Sequence, residues 1–206
     1  MILPEKGGPP KVTLILAHGA GAGMHSEFML QMDRLLAVSG IKVLRFNFDY
    51  MQKAEQENKR RPPDSMDKLQ QCFLRCVEKA DNELPLFIGG KSMGGRVASM
   101  VLNETRALGG ICLGYPFHPP GKPDKLRVGH LQETGKPLLV LQGQRDPFGN
   151  ELEMSGYGLH SRIRVHVLPD GDHSFTPRKS SGVTAQQNLQ QAARVIDDFI
   201  GEQLCR

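Results

Sequence analysis

The sequence predicts an α/β protein, a three-layer α/β/α sandwich around a mostly parallel six-stranded sheet. Three observations carry this expectation. Short continuous apolar runs, the pattern of strands buried on both faces, alternate with stretches of helical period. Several of those runs end in loops rich in Gly, Asp or His, and the connections between them are long enough for helical crossovers. No repeat and no linker interrupts the alternation, so the 206 residues read as one domain, 1–206. Right-handed crossovers then place helices on both faces of the sheet.

Residues 1–10 end in Gly7-Gly8-Pro9-Pro10 and read as a short tail. Val12-Thr13-Leu14-Ile15-Leu16-Ala17 is the first strand and runs into His18-Gly19-Ala20-Gly21-Ala22-Gly23. Phe28, Met29, Met32, Leu35, Leu36 and Val38 recur at near-helical spacing, and Ser39-Gly40 is the stop. Ile41-Lys42-Val43-Leu44-Arg45-Phe46 is the second strand. Residues 51–63 are polar and end in prolines, and are expected as an irregular exposed loop. Asp64 is placed to cap a helix carrying Met66, Leu69, Cys72, Phe73, Cys76 and Val77 on one side.

The third strand is Pro85-Leu86-Phe87-Ile88-Gly89, and Val97, Met100, Val101 and Leu102 mark the helix that follows it. Leu108-Gly109-Gly110-Ile111-Cys112-Leu113 is the fourth strand. Residues 115–136 are proline-rich and aperiodic, hence a long loop. Pro137-Leu138-Leu139-Val140-Leu141 is the fifth strand, closing at Gly143-Gln144-Arg145-Asp146-Pro147, and a short helix is expected within 150–160. Arg164-Val165-His166-Val167-Leu168 is the sixth, ending at Pro169-Asp170-Gly171-Asp172-His173. Leu189, Ala192, Ala193, Val195, Ile196, Phe199 and Ile200 define the last helix.

Composition removes several classes of function. With 39% hydrophobic and 23% charged residues the chain is globular. No apolar run approaches the ~20 residues that span a bilayer, so no membrane partner is expected. No basic segment followed by an apolar one opens the chain, and Cys72, Cys76, Cys112 and Cys205 form neither C-x-x-C nor a disulfide framework. A cytoplasmic location is therefore expected. The net charge of +4 is dispersed, and the one tight cluster, Lys59-Arg60-Arg61, reads as a solvated loop. Without tryptophan and with three tyrosines, the chain offers little for base stacking, and no nucleic-acid partner is expected.

The stretch richest in chemistry is Gly90-Lys91-Ser92-Met93-Gly94, a G-x-S-x-G pattern between a strand and a helix. Such a nucleophile elbow holds its serine in a strained turn above the carboxyl edge of the sheet. Its glycines are a steric requirement, because side chains there would collide where strand and helix cross. A phosphate-binding loop would need glycine where Pro85 stands, and a dinucleotide fingerprint would need Gly or Ala where Met24 stands. The histidines form no H-E-x-x-H or other ligand cluster, so neither metal nor cofactor is expected. Ser92, Asp146 and His173 each follow a strand, at the edge where active residues of such sheets gather. Asp170 and Asp172 share the histidine's own loop and are weaker candidates for the acid.

Through His18-Gly19, Gly90-Lys91-Ser92-Met93-Gly94, Gly143-Gln144-Arg145-Asp146 and Gly171-Asp172-His173-Ser174 the chain resembles the α/β-hydrolase superfamily, and the Ser-Asp-His order is the one found there. Leu44-Arg45-Phe46, Gly90-Lys91-Ser92-Met93-Gly94-Gly95-Arg96 and Tyr115-Pro116-Phe117-His118-Pro119-Pro120 narrow the resemblance. They point to small proteins related to dienelactone hydrolases and to the hydrolase-like module of a nonspecific-lethal histone acetyltransferase complex subunit. The resemblance implies a minimal fold without leading antiparallel strands or a helical lid. It also implies Ser92 as nucleophile, His173 as base, Asp146 as orienting acid, and oxyanion donors at Met93 and Ala20. His18 is expected to shape the oxyanion loop beside the substrate, and Phe117 and His118 to wall the acyl pocket. The expected function is a carboxylesterase-like serine hydrolase taking a small or exposed acyl substrate. The alternative is a non-catalytic interaction module of the same fold, with 51–63 as the docking loop for a protein partner.

Overall fold

The structure, a computed structural model, describes residues 9–205. The tail expected over 1–10 falls almost wholly outside them. Six strands form one parallel sheet: β1 (Val12–Ala17), β2 (Ile41–Phe46), β3 (Leu86–Lys91), β4 (Gly109–Leu113), β5 (Leu138–Gly143) and β6 (Ile163–Leu168). The order across the sheet is β2-β1-β3-β4-β5-β6, and every neighbouring pair is parallel. The helices are α1 (Glu27–Val38), α2 (Asp49–Glu57), α3 (Met66–Lys79), α4 (Met93–Val101) and α5 (Ala185–Leu204).

The period-two geometry of the strands sorts their apolar residues between two cores. Val12, Leu14 and Leu16 of β1 join Met29, Met32 and Leu36 of α1 and Leu189, Ile196 and Phe199 of α5 on one face. Ile15 and Ala17 join Leu69, Phe73 and Val77 of α3 and Val97, Ala98 and Val101 of α4 on the other. Each fully buried large apolar side chain contributes about 1.5–3 kcal/mol, so two continuous cores need no covalent staple; all four cysteines are free. From β1 the chain moves outward to β2 and then back across to β3. The loops leaving β1 and β3 therefore diverge, which opens a crevice at their carboxyl ends.

The segment 51–63 departs from the expected loop, because residues 49–57 form α2. Its apolar stripe is short, with Tyr50 buried and Met51 packed on the core, too few residues to register as a helical period. Tertiary contacts hold it: Asp49 pairs with Arg75 of α3 at 2.6 Å, and Asn58 ends the helix in the left-handed conformation at φ 48°. The helix expected within 150–160 is only a 3-10 turn, Met154–Gly156. There Asn150 turns back on its own backbone, accepting from the Leu152 N–H at 2.9 Å, which competes with helix formation. Ser65 rather than Asp64 precedes α3. Between β4 and β5 the only helical piece is the 3-10 turn Gly129–Leu131, so no lid covers the edge. No helix of the described residues is long and apolar enough to cross a membrane.

Candidate active site

Ser92 occupies the junction of β3 and α4 with φ 51° and ψ −114°. A non-glycine residue there carries roughly 1–3 kcal/mol of strain that the surroundings must offset. Backbone bonds on both sides pin it: its N–H donates to Leu113 O at 2.9 Å and its carbonyl accepts from Arg96 N–H at 3.0 Å. The turn closes only because its neighbours lack side chains. A Cβ on Gly94 would lie 2.6 Å from both Ala17 O and His18 O, and one on Gly90 would overlap the Gly94 carbonyl carbon.

His173 reaches Ser92 from the loop after β6. Its Nε2 is 2.8 Å from Ser92 Oγ, and its Nδ1 is 2.8 Å from Asp146 Oδ2. A carboxylate beside Nδ1 fixes the proton there, which leaves Nε2 as acceptor for the serine hydroxyl. The His173 ring retains about a fifth of its exposure, 22%, whereas Asp146 has none. Phe148 lies over the His173 ring at a centroid distance of 4.2 Å.

Asp146 is surrounded by donors. Oδ1 accepts from Phe148 N–H at 2.9 Å, and Oδ2 accepts from Gln142 Nε2 at 2.9 Å as well as from His173. Gln142, fully buried in β5, ties its other amide contacts to the Tyr115 backbone and Gly149 O. A polar residue directly after the apolar run Leu138-Leu139-Val140-Leu141, still within the strand, was the sequence signal for this role, and it was readable only as an oddity. Lys91, 8% exposed, is a second residue that pattern reading passes over. Its Nζ donates to His173 O at 2.6 Å and lies over the Phe28 ring. Burial pulls its pKa down to about 8, against the pull of Asp146 and Asp172 in the other direction.

The loop 18–23 abuts Ser92, since a Cβ on Gly19 would be 3.6 Å from Ser92 Cβ. Ala20 in that loop is exposed, and Met93 begins α4 at its positive dipole end. His18 is fully buried beneath them. Its Nδ1–H donates to Gly19 O at 2.6 Å and its Nε2 accepts from Phe48 N–H at 3.1 Å. Burial lowers its pKa, which keeps the ring neutral in that bonded form. With both nitrogens engaged and no surface, His18 shapes the loop from below and offers nothing to a substrate.

Phe117 and His118 are likewise buried. Phe117 stacks on Tyr157 at 4.6 Å, and His118 bonds Pro119 O and Glu153, so both brace the 115–136 loop from within. This corrects the expectation that they face an acyl group. Asp170 pairs with Arg145 and Arg178 and has no contact with His173, while the Asp172 carboxylate caps the turn at Ser174 and Thr176. A second serine–histidine contact, Ser99 Oγ to His130 Nε2 at 2.9 Å, has no carboxylate behind it, and Ser99 is buried and bonded to Arg96 O. It lacks the parts of a nucleophilic centre. A cleft of about 350 Å³ among Leu74, Glu78, Asn82 and Arg106 adjoins the amino ends of the strands, away from Ser92. Among the described residues, no three His, Cys, Asp or Glu side chains gather as metal ligands.

A family model described as an alpha/beta hydrolase domain matches residues 10–201. The chain belongs to the α/β-hydrolase family. Solved structures share this hydrolase fold at low identity. A lidless α/β serine hydrolase from Xanthomonas campestris is 21% identical, with TM-score 0.67 over 94% of this chain and 86% of that one. Dienelactone hydrolase from Anabaena variabilis is 18% identical, with TM-score 0.68 over 95% and 87%. Est1E from Butyrivibrio proteoclasticus, with ferulic acid bound, is 14% identical, with TM-score 0.68 over 96% and 91%.

Proposed function

We propose that this α/β-hydrolase is a serine esterase, cleaving carboxylic esters of small or exposed acyl groups through an acyl-Ser92 intermediate. The observation that carries the reading is the unbroken series of hydrogen bonds from Ser92 Oγ through His173 to the buried carboxylate of Asp146. A serine hydroxyl is a weak nucleophile at its own pKa and needs such a base within reach.

In the proposed cycle Ser92 Oγ attacks the ester carbonyl carbon as its proton passes to His173 Nε2. The carbonyl π electrons move to oxygen, and the oxyanion takes hydrogen bonds from the N–H groups of Ala20 and Met93. Asp146 stabilises the imidazolium and stays ionised. Collapse of the tetrahedral intermediate breaks the bond to the alcohol oxygen, which leaves with the proton from His173. Water then enters, gives a proton to His173 and attacks the acyl carbon. The second collapse releases the carboxylic acid and returns the proton to Ser92. The lidless edge favours short or protruding acyl groups over long lipid chains, and Est1E with ferulic acid and dienelactone hydrolase lend support as fold relatives.

Stopped-flow hydrolysis of 4-nitrophenyl acetate tests this. The account expects a nitrophenolate burst stoichiometric with protein, absent in Ser92→Ala. Hydrolysis that survives unchanged in a folded Ser92→Ala protein rejects it.

A further inference from the structure

Among the described residues, Arg45, Arg96 and Arg127 are the arginines partly withdrawn from solvent. Arg45 pairs with Asp33 at 2.9 Å. The side chains of Arg96 and Arg127 bond to no described residue, and Arg96 Nε is a buried donor without an acceptor. A buried donor left unmade is unfavourable, and more so on a charged group. The two guanidiniums also act on each other: burial and the Arg96 charge lower the Arg127 pKa, and no carboxylate is among the groups acting on it.

The neighbouring hydroxyls fix the backbone of both residues and bring no negative charge. Tyr115 Oη donates to Arg127 O at 2.8 Å, and Ser99 Oγ donates to Arg96 O at 2.8 Å. His130 sits between these two hydroxyls, 2.9 Å from Ser99 Oγ and 3.4 Å from Tyr115 Oη. Burial and Arg96 push its pKa down to about 4, so at neutral pH it adds no charge.

Arg96 shares the first turn of α4 with Ser92, its N–H donating to Ser92 O at 3.0 Å. Arg96 follows Ser92 by one helical turn, about 6 Å along the axis, and helical side chains lean toward the N-terminus, here the Ser92 end. Arg127 comes from the loop leaving β4. That loop begins at Gly114, where a Cβ would lie 3.3 Å from His173 Nδ1.

We propose that Arg96 and Arg127 form an anion subsite beside Ser92 that binds a carboxylate or phosphate group on the ester substrate. The link to turnover rests on the esterase reading, but the anion subsite itself does not. It narrows the substrate class to esters carrying a negative charge near the cleaved bond, with the two guanidiniums supplying charge-assisted and bidentate hydrogen bonds.

Calorimetry on the Ser92→Ala protein with inorganic phosphate and, separately, with succinate reads the subsite without turnover. At least one anion is expected to bind, more weakly as salt rises. Loss of one charged hydrogen-bonding partner predicts about ten- to a hundredfold weaker binding in Arg96→Gln or Arg127→Gln. Arg96→Lys is expected to retain part of the affinity, and Lys122→Gln on the same loop all of it. Whichever anion binds tells phosphate from carboxylate. In the active protein, kcat/KM for 4-nitrophenyl hemisuccinate relative to 4-nitrophenyl butyrate is expected to fall about tenfold in Arg127→Gln. Failure of both anions to bind a folded Ser92→Ala protein overturns the proposal, as does equal binding by the Arg96→Gln/Arg127→Gln double variant. Anion binding that needs both arginines, with no Ser92-dependent hydrolysis of either ester, rejects the esterase reading and upholds the subsite.

Discussion

Asp146→Asn separates the orienting role proposed for this residue from its bulk. In the native site three donors converge on the carboxylate, Phe148 N–H on Oδ1 and both Gln142 Nε2 and His173 Nδ1 on Oδ2. Asparagine presents one oxygen and one NH₂ to the same three donors. If its oxygen stays with Phe148, its NH₂ faces Gln142 and His173. The imidazole then bonds only by moving its proton to Nε2, which points a donor at Ser92 and removes the base. If its oxygen turns to His173, the NH₂ opposes Phe148 N–H in a site with no solvent. Either arrangement leaves at least one buried donor unmet, at about 1–3 kcal/mol of stability. The tautomer change is expected to lower kcat by about 10⁴, the scale known for the equivalent change in a serine protease triad. Steady-state ester hydrolysis and urea unfolding measure the two effects on one preparation. A folded Asp146→Asn protein with kcat within tenfold of wild type refutes the orienting role.

Two further perturbations test the elbow and its lysine. Gly90→Ala places a methyl group on the Gly94 carbonyl carbon and 2.7 Å from Gly95 N, both backbone, so neither neighbour can swing away. It is expected to destabilise the fold by about 3 kcal/mol or more by urea unfolding, and a loss under 1 kcal/mol contradicts the packing. Lys91, with a folded pKa of about 8 against 10.5 in an exposed lysine, is the group for a pH test. Between those values the unfolded chain holds a proton that the folded one has shed, so this residue makes stability rise as pH climbs from about 8 to 10. Its share is about 2–3 kcal/mol at 1.36 kcal/mol per unit. Subtracting the urea-derived stability curve of Lys91→Met from that of wild type isolates it, and a flat difference across the window rejects the burial of a charged amine.

The centre of the sheet was legible because β1, β3, β4 and β5 are buried on both faces and read as largely apolar runs, such as Val12–Ala17, with six residues fully or almost fully buried. The elbow was legible because sterics at Gly90 and Gly94 leave few alternatives to glycine. Helix α2 was hidden for the opposite reason. Its burial rests on Tyr50 and Met51 alone, and the Asp49–Arg75 pair that steadies it joins residues far apart in sequence. The misreading of Phe117 and His118 has a similar origin. Aromatic residues in a proline-rich loop suggest a surface wall, whereas Tyr157 and Glu153 turn them inward through contacts that no local pattern carries. Gln142, Lys91 and the Arg96–Arg127 pair belong to the same category. Each was visible as a residue type, but its partners come from other strands or loops. Capping is an intermediate case: Thr184 and Gln187 form a reciprocal capping box at the start of α5, a signal present in the local sequence.

Whether Ser92 is an activated nucleophile is the claim on which the proposed chemistry turns. A fluorophosphonate probe reports it without knowledge of the substrate, since it forms a stable adduct only with a serine whose proton is taken by a base. The account predicts one adduct per chain, mapped to Ser92 by peptide mass spectrometry and lost in both Ser92→Ala and His173→Ala. A folded wild-type protein that stays unlabelled, or labels equally without His173, contradicts it.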